Sequence, residues 1–309
     1  MRREIKALLV IAIILPIIVA AISWSRESEQ IPETTYPLVI RDDVGRTVKL
    51  GSEPERIVSL APGNTEILFA LGLEKRVVGV SDQCDYPAEA RDKPKVGGFA
   101  TISIERTVSL KPDVVLASGS IQLEIADQLS DLGIKTIVLF PRTIESILGD
   151  IELVGEVTNR NSEAKALVTR LRGRIEFIRA GTRQLMSRPR VYYEIWHSPL
   201  MSAGHGTWID ELIELSGGRN IFSDSSDPYP IISSELVIER DPEIIIINRG
   251  YMGGEARGEM LRRAGWDRIS AVISGRIYEM DENLLVRPGP RIVDGLEALA
   301  KAIHPELFG

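Results

Sequence analysis

The chain carries one pattern twice, and that repeat limits what it can fold into more than any other feature. Residues 104–116 read IERTVSLKPDVVL and residues 234–246 read SELVIERDPEIII. In each copy a Glu stands seven residues before a Pro, an acid follows the Pro, and a β-branched run comes next. Ser103 and Ser233 precede the copies, and serine is a favoured helix-opening residue. Each copy therefore predicts a short helix, a turn at the proline and a buried strand. Arg56-Ile57-Val58 and Arg190-Val191-Tyr192 lie at similar distances upstream. Each starts a predicted strand that leads into a helix, over 65–71 and 207–215 respectively. Two related α/β lobes are the simplest account.

Between the copies runs NSEAKALVTRLRGRIEFIRAGTRQLM, residues 161–186. Ala164, Leu167, Leu171, Ile175, Ile178 and Leu185 recur mostly at three- and four-residue steps, the period of a helix with one buried stripe. Ser162 is the expected N-cap and Pro189 closes the far end. At 1.5 Å per residue the run is about 38 Å long, enough to bridge the lobes. The expected division is an N-terminal lobe over 38–160, a bridging helix over 161–187 and a C-terminal lobe over 188–309.

Strands are expected at 57–60, 77–80, 114–117 and 136–139 in the first lobe, with helices at 65–71, 121–132 and 143–157 and a small hairpin over 38–50. In the second lobe strands are expected at 191–195, 244–248 and 277–280, with helices at 207–215, 258–265 and 292–303. Strands alternating with helices imply parallel pairing, with ligand loops at the strand C-terminal ends. The expected fold is thus α/β, two similar lobes with mainly parallel sheets, and a cleft between them as the ligand site.

The chain has 309 residues, room for two domains with real cores. Arg2, Arg3 and Lys6 precede an apolar run from Ala7 to Trp24, the arrangement of an export signal. Its 18 residues are at the short end for a bilayer span, so residues 1–24 read either as a cleaved signal peptide or as a membrane anchor over 7–24. No cysteine lies there to carry a lipid. Residues 25–37, polar and punctuated by proline, read as a flexible tether. Everything beyond is expected outside the cytoplasm.

The net charge of −7 argues against nucleic acid as a partner, which needs a basic footprint. The single cysteine, Cys84, and three scattered histidines, His197, His205 and His304, form no recognisable metal signature. No glycine spacing matches a dinucleotide or phosphate-binding loop, and no serine sits in a nucleophile elbow. No catalytic residues and no bound cofactor are expected. The predicted strand ends instead carry rings: Phe99 after Gly97-Gly98, Trp196 after the 191–195 strand, and Tyr229 between two prolines. Arg287 lies in Arg287-Pro288-Gly289-Pro290-Arg291. Rings on stiffened loops suit a large, flat, partly apolar ligand. Glu105 and Glu235 occupy equivalent repeat positions near helix starts. They read either as favourable charges at a helix N-terminus or as one exposed acid per lobe that meets a two-fold symmetric partner.

Several stretches in this order, RIVSLAPGNTE from Arg56, Gly79-Val80-Ser81-Asp82, Asp85-Tyr86-Pro87, Leu110-Lys111-Pro112-Asp113 and Arg287-Pro288-Gly289-Pro290-Arg291, resemble the substrate-binding proteins of ABC importers for cobalamin and iron-siderophores. The resemblance runs from about Leu38 to the C-terminus. It implies a rigid helical bridge, little closure on binding, and an ABC permease dimer with its ATPase subunits as partner. In that family a glutamate of each lobe docks on permease arginines; the matching positions are Glu105 and Glu235. Phe99 and Tyr229, with Trp196 and Arg287, match ligand-contacting positions, while Gln83 and Ser118 stand where further rings are expected. The implied ligand is a cobalamin-like corrinoid, with a ferric siderophore or haem as the alternative, and a monomer is expected. An enzyme sharing only the lobe architecture is the reading from a different class.

Overall fold

Both copies of the repeat open helices capped by their predicted serines, and both prolines start a strand that enters a parallel sheet. The computed structural model describes residues 31–249 and 257–309. The expected signal or anchor, and residues 25–30 of the expected tether, lie outside the described residues. Thr34–Gly309 forms one compact unit. Among the described residues no helix is long and apolar enough to cross a membrane.

The first lobe opens with the antiparallel hairpin β1 (Leu38–Arg41) and β2 (Thr47–Leu50). There follow β3 (Ile57–Ser59), α1 (Pro62–Ala70), β4 (Val77–Val80), α2 (Ile104–Ser109), β5 (Val114–Ser118), α3 (Leu123–Asp131), β6 (Thr136–Leu139) and α4 (Ile144–Val157). The long helix α5 spans Asn161–Thr182. The second lobe has β7 (Arg190–Glu194), the short hairpin β8 (Trp196–His197) and β9 (Leu200–Met201), α6 (Trp208–Leu215), β10 (Arg219–Asn220), α7 (Ser234–Arg240), β11 (Ile244–Arg249), β12 (Ile277–Asp281) and α8 (Ile292–Ile303).

Each lobe holds a four-stranded sheet, ordered β4-β3-β5-β6 in the first and β10-β7-β11-β12 in the second. All pairings in both are parallel. Numbered within its own lobe, each sheet has the order second, first, third, fourth strand, so the repeat extends to topology. β8, β9 and β10 have no sequence-based expectation, because each pairs over only two residues.

The repeat has a physical cause at the turn. The Asp113 carboxylate accepts from the Arg56 and Glu55 amides at 2.8 and 2.9 Å, and the Glu243 carboxylate accepts from the Arg190 amide at 2.9 Å. The acid after each proline thus satisfies the entry of the lobe's first strand. The residues before the prolines, Lys111 and Asp241, are left-handed at φ 47° and 41°, which reverses the chain at each helix end. Ser103 accepts from Arg106 N and Ser233 from Leu236 N, as N-caps.

α5 is shorter than expected and starts without Ser162. Asn159, at φ 55°, turns the chain out of α4 and Arg160 becomes the N-cap, so Ser162 falls within the first turn. The far end comes at Thr182, whose hydroxyl donates to Leu215 O at 3.0 Å; Leu185 lies beyond the helix. The remaining predicted stripe, with Val168, is buried and belongs to a single apolar core reaching from Ile57 and Ile67 through α5 to Ile213, Ile246 and Leu296. Smaller clusters cover the outer sheet faces, one around Val58 and Val115, the other around Tyr192 and Trp266. The last residues of the expected tether are fixed: Thr34 Oγ1 donates to Glu156 O and Tyr36 Oη to Val157 O, at 2.8 and 2.9 Å. Hydroxyl contacts of this kind leave no trace in a polar composition.

Candidate functional site

Parallel strands place their following loops at one edge of each sheet. In the first lobe that edge carries Phe99, Phe140 and Arg142; in the second it carries Trp196, His197 and Tyr229. Phe99 sits beyond Gly97, whose φ of +120° favours glycine. Its amide donates to Gln83 Oε1 at 2.7 Å and its carbonyl accepts from Gln122 Nε2 at 2.8 Å. Gln122 is fully buried; it also donates to Leu60 O at 2.9 Å and accepts from Ser118 N at 2.8 Å. One side chain therefore ties three loops together under the Phe99 ring. Gln83, where the resemblance implies a ring, serves as a clamp on the loop that carries one.

Phe140 follows β6, its amide donating to Asp43 Oδ2 at 2.5 Å. The Arg142 guanidinium stacks 4.1 Å from the Phe140 ring centroid. Thr143 and Ser146 form a reciprocal capping box that fixes the start of α4. Composition and spacing gave no hint of this pair, because neither residue falls in the quoted motifs.

In the second lobe Trp196 Nε1 donates to Ser198 O at 2.7 Å, and its ring lies 5.3 Å from that of His197. The Tyr229 loop is sewn to the β9 side: Gly204 N donates to Pro228 O at 2.9 Å and Ser202 N to Pro230 O at 3.2 Å. Tyr229 N donates to Asp227 Oδ1 at 2.9 Å. Burial pushes the Tyr229 phenol above its ordinary range, with Arg142 pulling it back. That pull is an interaction between the edge of the first lobe and the edge of the second.

Arg287 is differently placed from the other predicted ligand residues. Its guanidinium donates to Asp85 Oδ1 at 2.6 Å and lies 3.7 Å from Glu66 Oε1. Arg291 meets Glu66 through two bonds of 3.0 and 2.6 Å and stacks 3.7 Å over the Tyr86 ring. Glu66 is buried, and burial pushes its carboxyl up against the lowering pull of Arg291 and Arg287. Partial burial also pushes Asp85 up, but Arg287 holds it below the usual carboxylate range. The backbones touch here too, since a Cβ on Gly63 would lie 2.4 Å from Pro288 O. The motif Arg287–Arg291 is thus an inter-lobe rivet, and the Arg287 charge is matched by protein carboxylates. A groove of about 600 Å³ runs along this seam between α1, α5 and α8, lined among others by Phe69, Tyr86, Leu171 and Arg174. It lies away from the ring-bearing loops, and Arg174 and Arg291 are paired with carboxylates there.

Glu105 and Glu235 are exposed, each in the first turn of its helix behind a serine cap. No ion pair engages either among the described residues. Among those residues no group of three or more His, Cys, Asp or Glu side chains is placed to hold a metal ion. The arrangement can hold a ligand between rings and offer it amide groups.

The sequence matches the family profile described as periplasmic binding protein over residues 57–284. The chain is 32% identical over 280 residues to an uncharacterized ABC transporter substrate-binding lipoprotein of Bacillus subtilis, covering 88% of this chain and 87% of that one. It is 33% identical over 247 residues to a vitamin B12-binding protein of Vibrio cholerae, covering 79% of this chain and 87% of the relative. The crystal structure of the periplasmic vitamin B12 binding protein BtuF of Vibrio cholerae superposes with a TM-score of 0.71 at 28% identity, over 82% of this chain and 97% of that one. A periplasmic heme-binding protein, RhuT from Roseiflexus sp. RS-1, superposes with a TM-score of 0.72 at 27% identity, over 82% of this chain and 99% of that one. With the profile spanning both sheets, from β3 to just beyond β12, the chain belongs to the periplasmic binding protein family.

Proposed function

We propose that the chain is the extracytoplasmic solute-binding protein of an ABC importer, and that it captures a cobalamin-like corrinoid between the two ring-bearing edges. The observation that carries the ligand class is the fate of Arg287. Its guanidinium is matched by Asp85 and Glu66, so this motif adds no free cation to the cleft. What remains at the edges is mainly rings, Phe99, Phe140, Trp196 and Tyr229, with the amide of Gln83 behind them and one guanidinium, Arg142, stacked on Phe140. A neutral macrocycle fringed with amides suits such walls, because rings supply contact area and small polar groups supply orientation. A ferric tris-catecholate carries net negative charge and favours a cluster of cations around it, whereas a ferric trihydroxamate is neutral and is separated from a corrinoid by the titration below. The vitamin B12-binding relative points the same way.

The second reading is haem. The observation that favours it is Tyr229 next to Arg142, together with the heme-binding structural neighbour. A haem site needs an axial ligand such as a tyrosine or His197. Partial burial pushes the Tyr229 phenol above its ordinary range, which works against its binding ferric iron as the phenolate.

Glu105 and Glu235 serve in this reading as paired docking acids for a permease dimer, one per lobe, setting register and orientation. Residues 1–24 direct or anchor the chain at the outer face of the membrane. Isothermal titration with cyanocobalamin, in parallel with haem and with ferric hydroxamate and catecholate chelates, tests the ligand class. Tight one-to-one binding of cyanocobalamin is the expected result; binding of haem or a chelate alone overturns the corrinoid assignment.

A further inference from the structure

Among the described residues two nitrogen atoms in the second lobe are buried without a hydrogen-bond partner, Asn248 Nδ2 and His197 Nδ1. Asn248 is the penultimate residue of β11 and is 2% exposed. The hydroxyl of Tyr193, itself fully buried, donates to Asn248 Oδ1 at 2.6 Å. That bond fixes the amide and turns its nitrogen away from the phenol. β7 and β11 are parallel neighbours, paired as far as Glu194 opposite Ile247. Both strands therefore end at the same sheet edge, where Trp196, His197 and the Tyr229 loop arise. An unmatched buried N–H weakens a fold and is rare in native proteins. Its persistence at a ligand-facing edge points to a partner that arrives with the ligand.

We propose that Asn248 Nδ2, with His197 Nδ1 beside the Trp196 ring, forms a polar subsite on the second lobe's cleft wall that receives a neutral carbonyl oxygen, such as that of a carboxamide on the ligand. This rests on the cleft-binding reading above and adds to it the residue that reads the ligand's edge. A neutral acceptor suits this site better than a carboxylate, because Asn248 is 2% exposed and burying an unmatched charge is costly.

The test uses the full chain with cyanocobalamin, haem and ferrichrome as probes, and two variants. Tyr193→Phe with Asn248→Leu removes the bonded pair and leaves no orphan, so the ligand-free melting temperature is expected to stay level or rise. The same double variant is expected to bind cyanocobalamin at least about tenfold more weakly. Asn248→Asp keeps the shape and the Tyr193 bond but replaces the donor with an acceptor, and it is expected to lose affinity similarly. His197→Phe, which keeps a ring beside Trp196, is expected to lose about threefold. Affinities within about twofold of the parent for both Asn248 variants overturn the subsite. If the double variant melts far below the parent, the amide serves the fold, and the affinity of Asn248→Asp decides alone. If the parent binds haem or ferrichrome and not cyanocobalamin, the corrinoid reading fails. The subsite is then judged by the same comparison on the probe that binds.

Discussion

Asp150 is a carboxyl on α4 with 4% of its surface exposed, and Asp43 stands next to it. Burial first, and then the Asp43 charge and hydrogen bond, push it up to about 9. An unfolded aspartate titrates near about 3.9, so the folded chain holds this proton more tightly. The resulting stability is complete below about pH 4 and is lost progressively as pH rises to about 9. Asp150→Asn mimics the protonated form and keeps a donor for Asp43. It is expected to leave the melting temperature near that of the parent at pH 4 and to be more stable than the parent at pH 8, by up to about 5 kcal/mol. Calorimetry across that range checks it; parallel pH profiles for parent and variant show that the proton is not shared. A second buried acid behaves differently. Glu194 receives two bonds from Arg263, at 2.6 and 2.8 Å, and one from the Tyr192 hydroxyl at 3.1 Å. Glu194→Ala takes two charge-assisted bonds from the half-buried Arg263 guanidinium and one from the Tyr192 hydroxyl, and is expected to cost about 2–4 kcal/mol in denaturant unfolding. For the ligand, Phe99→Ala and Tyr229→Ala each remove a ring worth roughly 1.5–3 kcal/mol when buried. Each is therefore expected to weaken corrinoid binding about tenfold or more, read by titration.

At the scale of elements, α2 and α7 are the same device used twice. Each is a short helix with a serine cap, an exposed glutamate in its first turn and a left-handed or near-helical stop before the proline. Replacing both Glu105 and Glu235 by Lys is expected to abolish uptake in a transport assay while leaving ligand affinity within about twofold. A matching loss of affinity contradicts a division between docking and binding. This repeat was legible in the sequence because its causes are local: caps, prolines and the acid that satisfies the strand entry. Trp196 was legible as the residue after a recognisable strand, while Phe99 and Tyr229 stood out only through the glycines and prolines beside them. Gln122, Asp43 and Asn248 were not legible, because each acts through partners 23 to 107 residues away, at Phe99, Asp150 and, for Asn248, 55 residues back at Tyr193. Arg287 shows the limit from the other side. Its motif was visible, but whether its charge faces a ligand or a carboxylate depends on Asp85, 202 residues away. The end of α5 was misplaced because periodicity continues to Leu185 while the Thr182–Leu215 bond ends the helix.

The whole molecule is held as one body by two independent connections. One is the apolar core that runs through α5 without a break between the sheets. The other is the rivet of Glu66, Arg291, Arg287 and Asp85, where the Gly63 and Pro288 backbones are in contact. Hinge motion about the bridge must break the rivet, and breaking it strands a buried Glu66 carboxylate. Two expectations follow for Arg291→Met. Stability falls by about 3–5 kcal/mol, because one partner of a buried pair is lost, while Glu66→Gln with Arg291→Met recovers most of it, because no buried charge then remains unmatched. A double-mutant cycle in denaturant measures both terms. The parent is expected to unfold in a single cooperative step, with calorimetric and van't Hoff enthalpies equal, since the largest apolar core is shared between the two sheets through α5. In Arg291→Met the seam keeps the Arg287–Asp85 pair and the Gly63–Pro288 contact but loses the two-bond pair on Glu66, and amide exchange in the Phe99 and Tyr229 loops is expected to accelerate by about tenfold or more relative to the sheet interiors. Unchanged exchange in those loops means that the core alone sets the rigidity of the cleft, and that the charges at the seam serve solubility or docking instead.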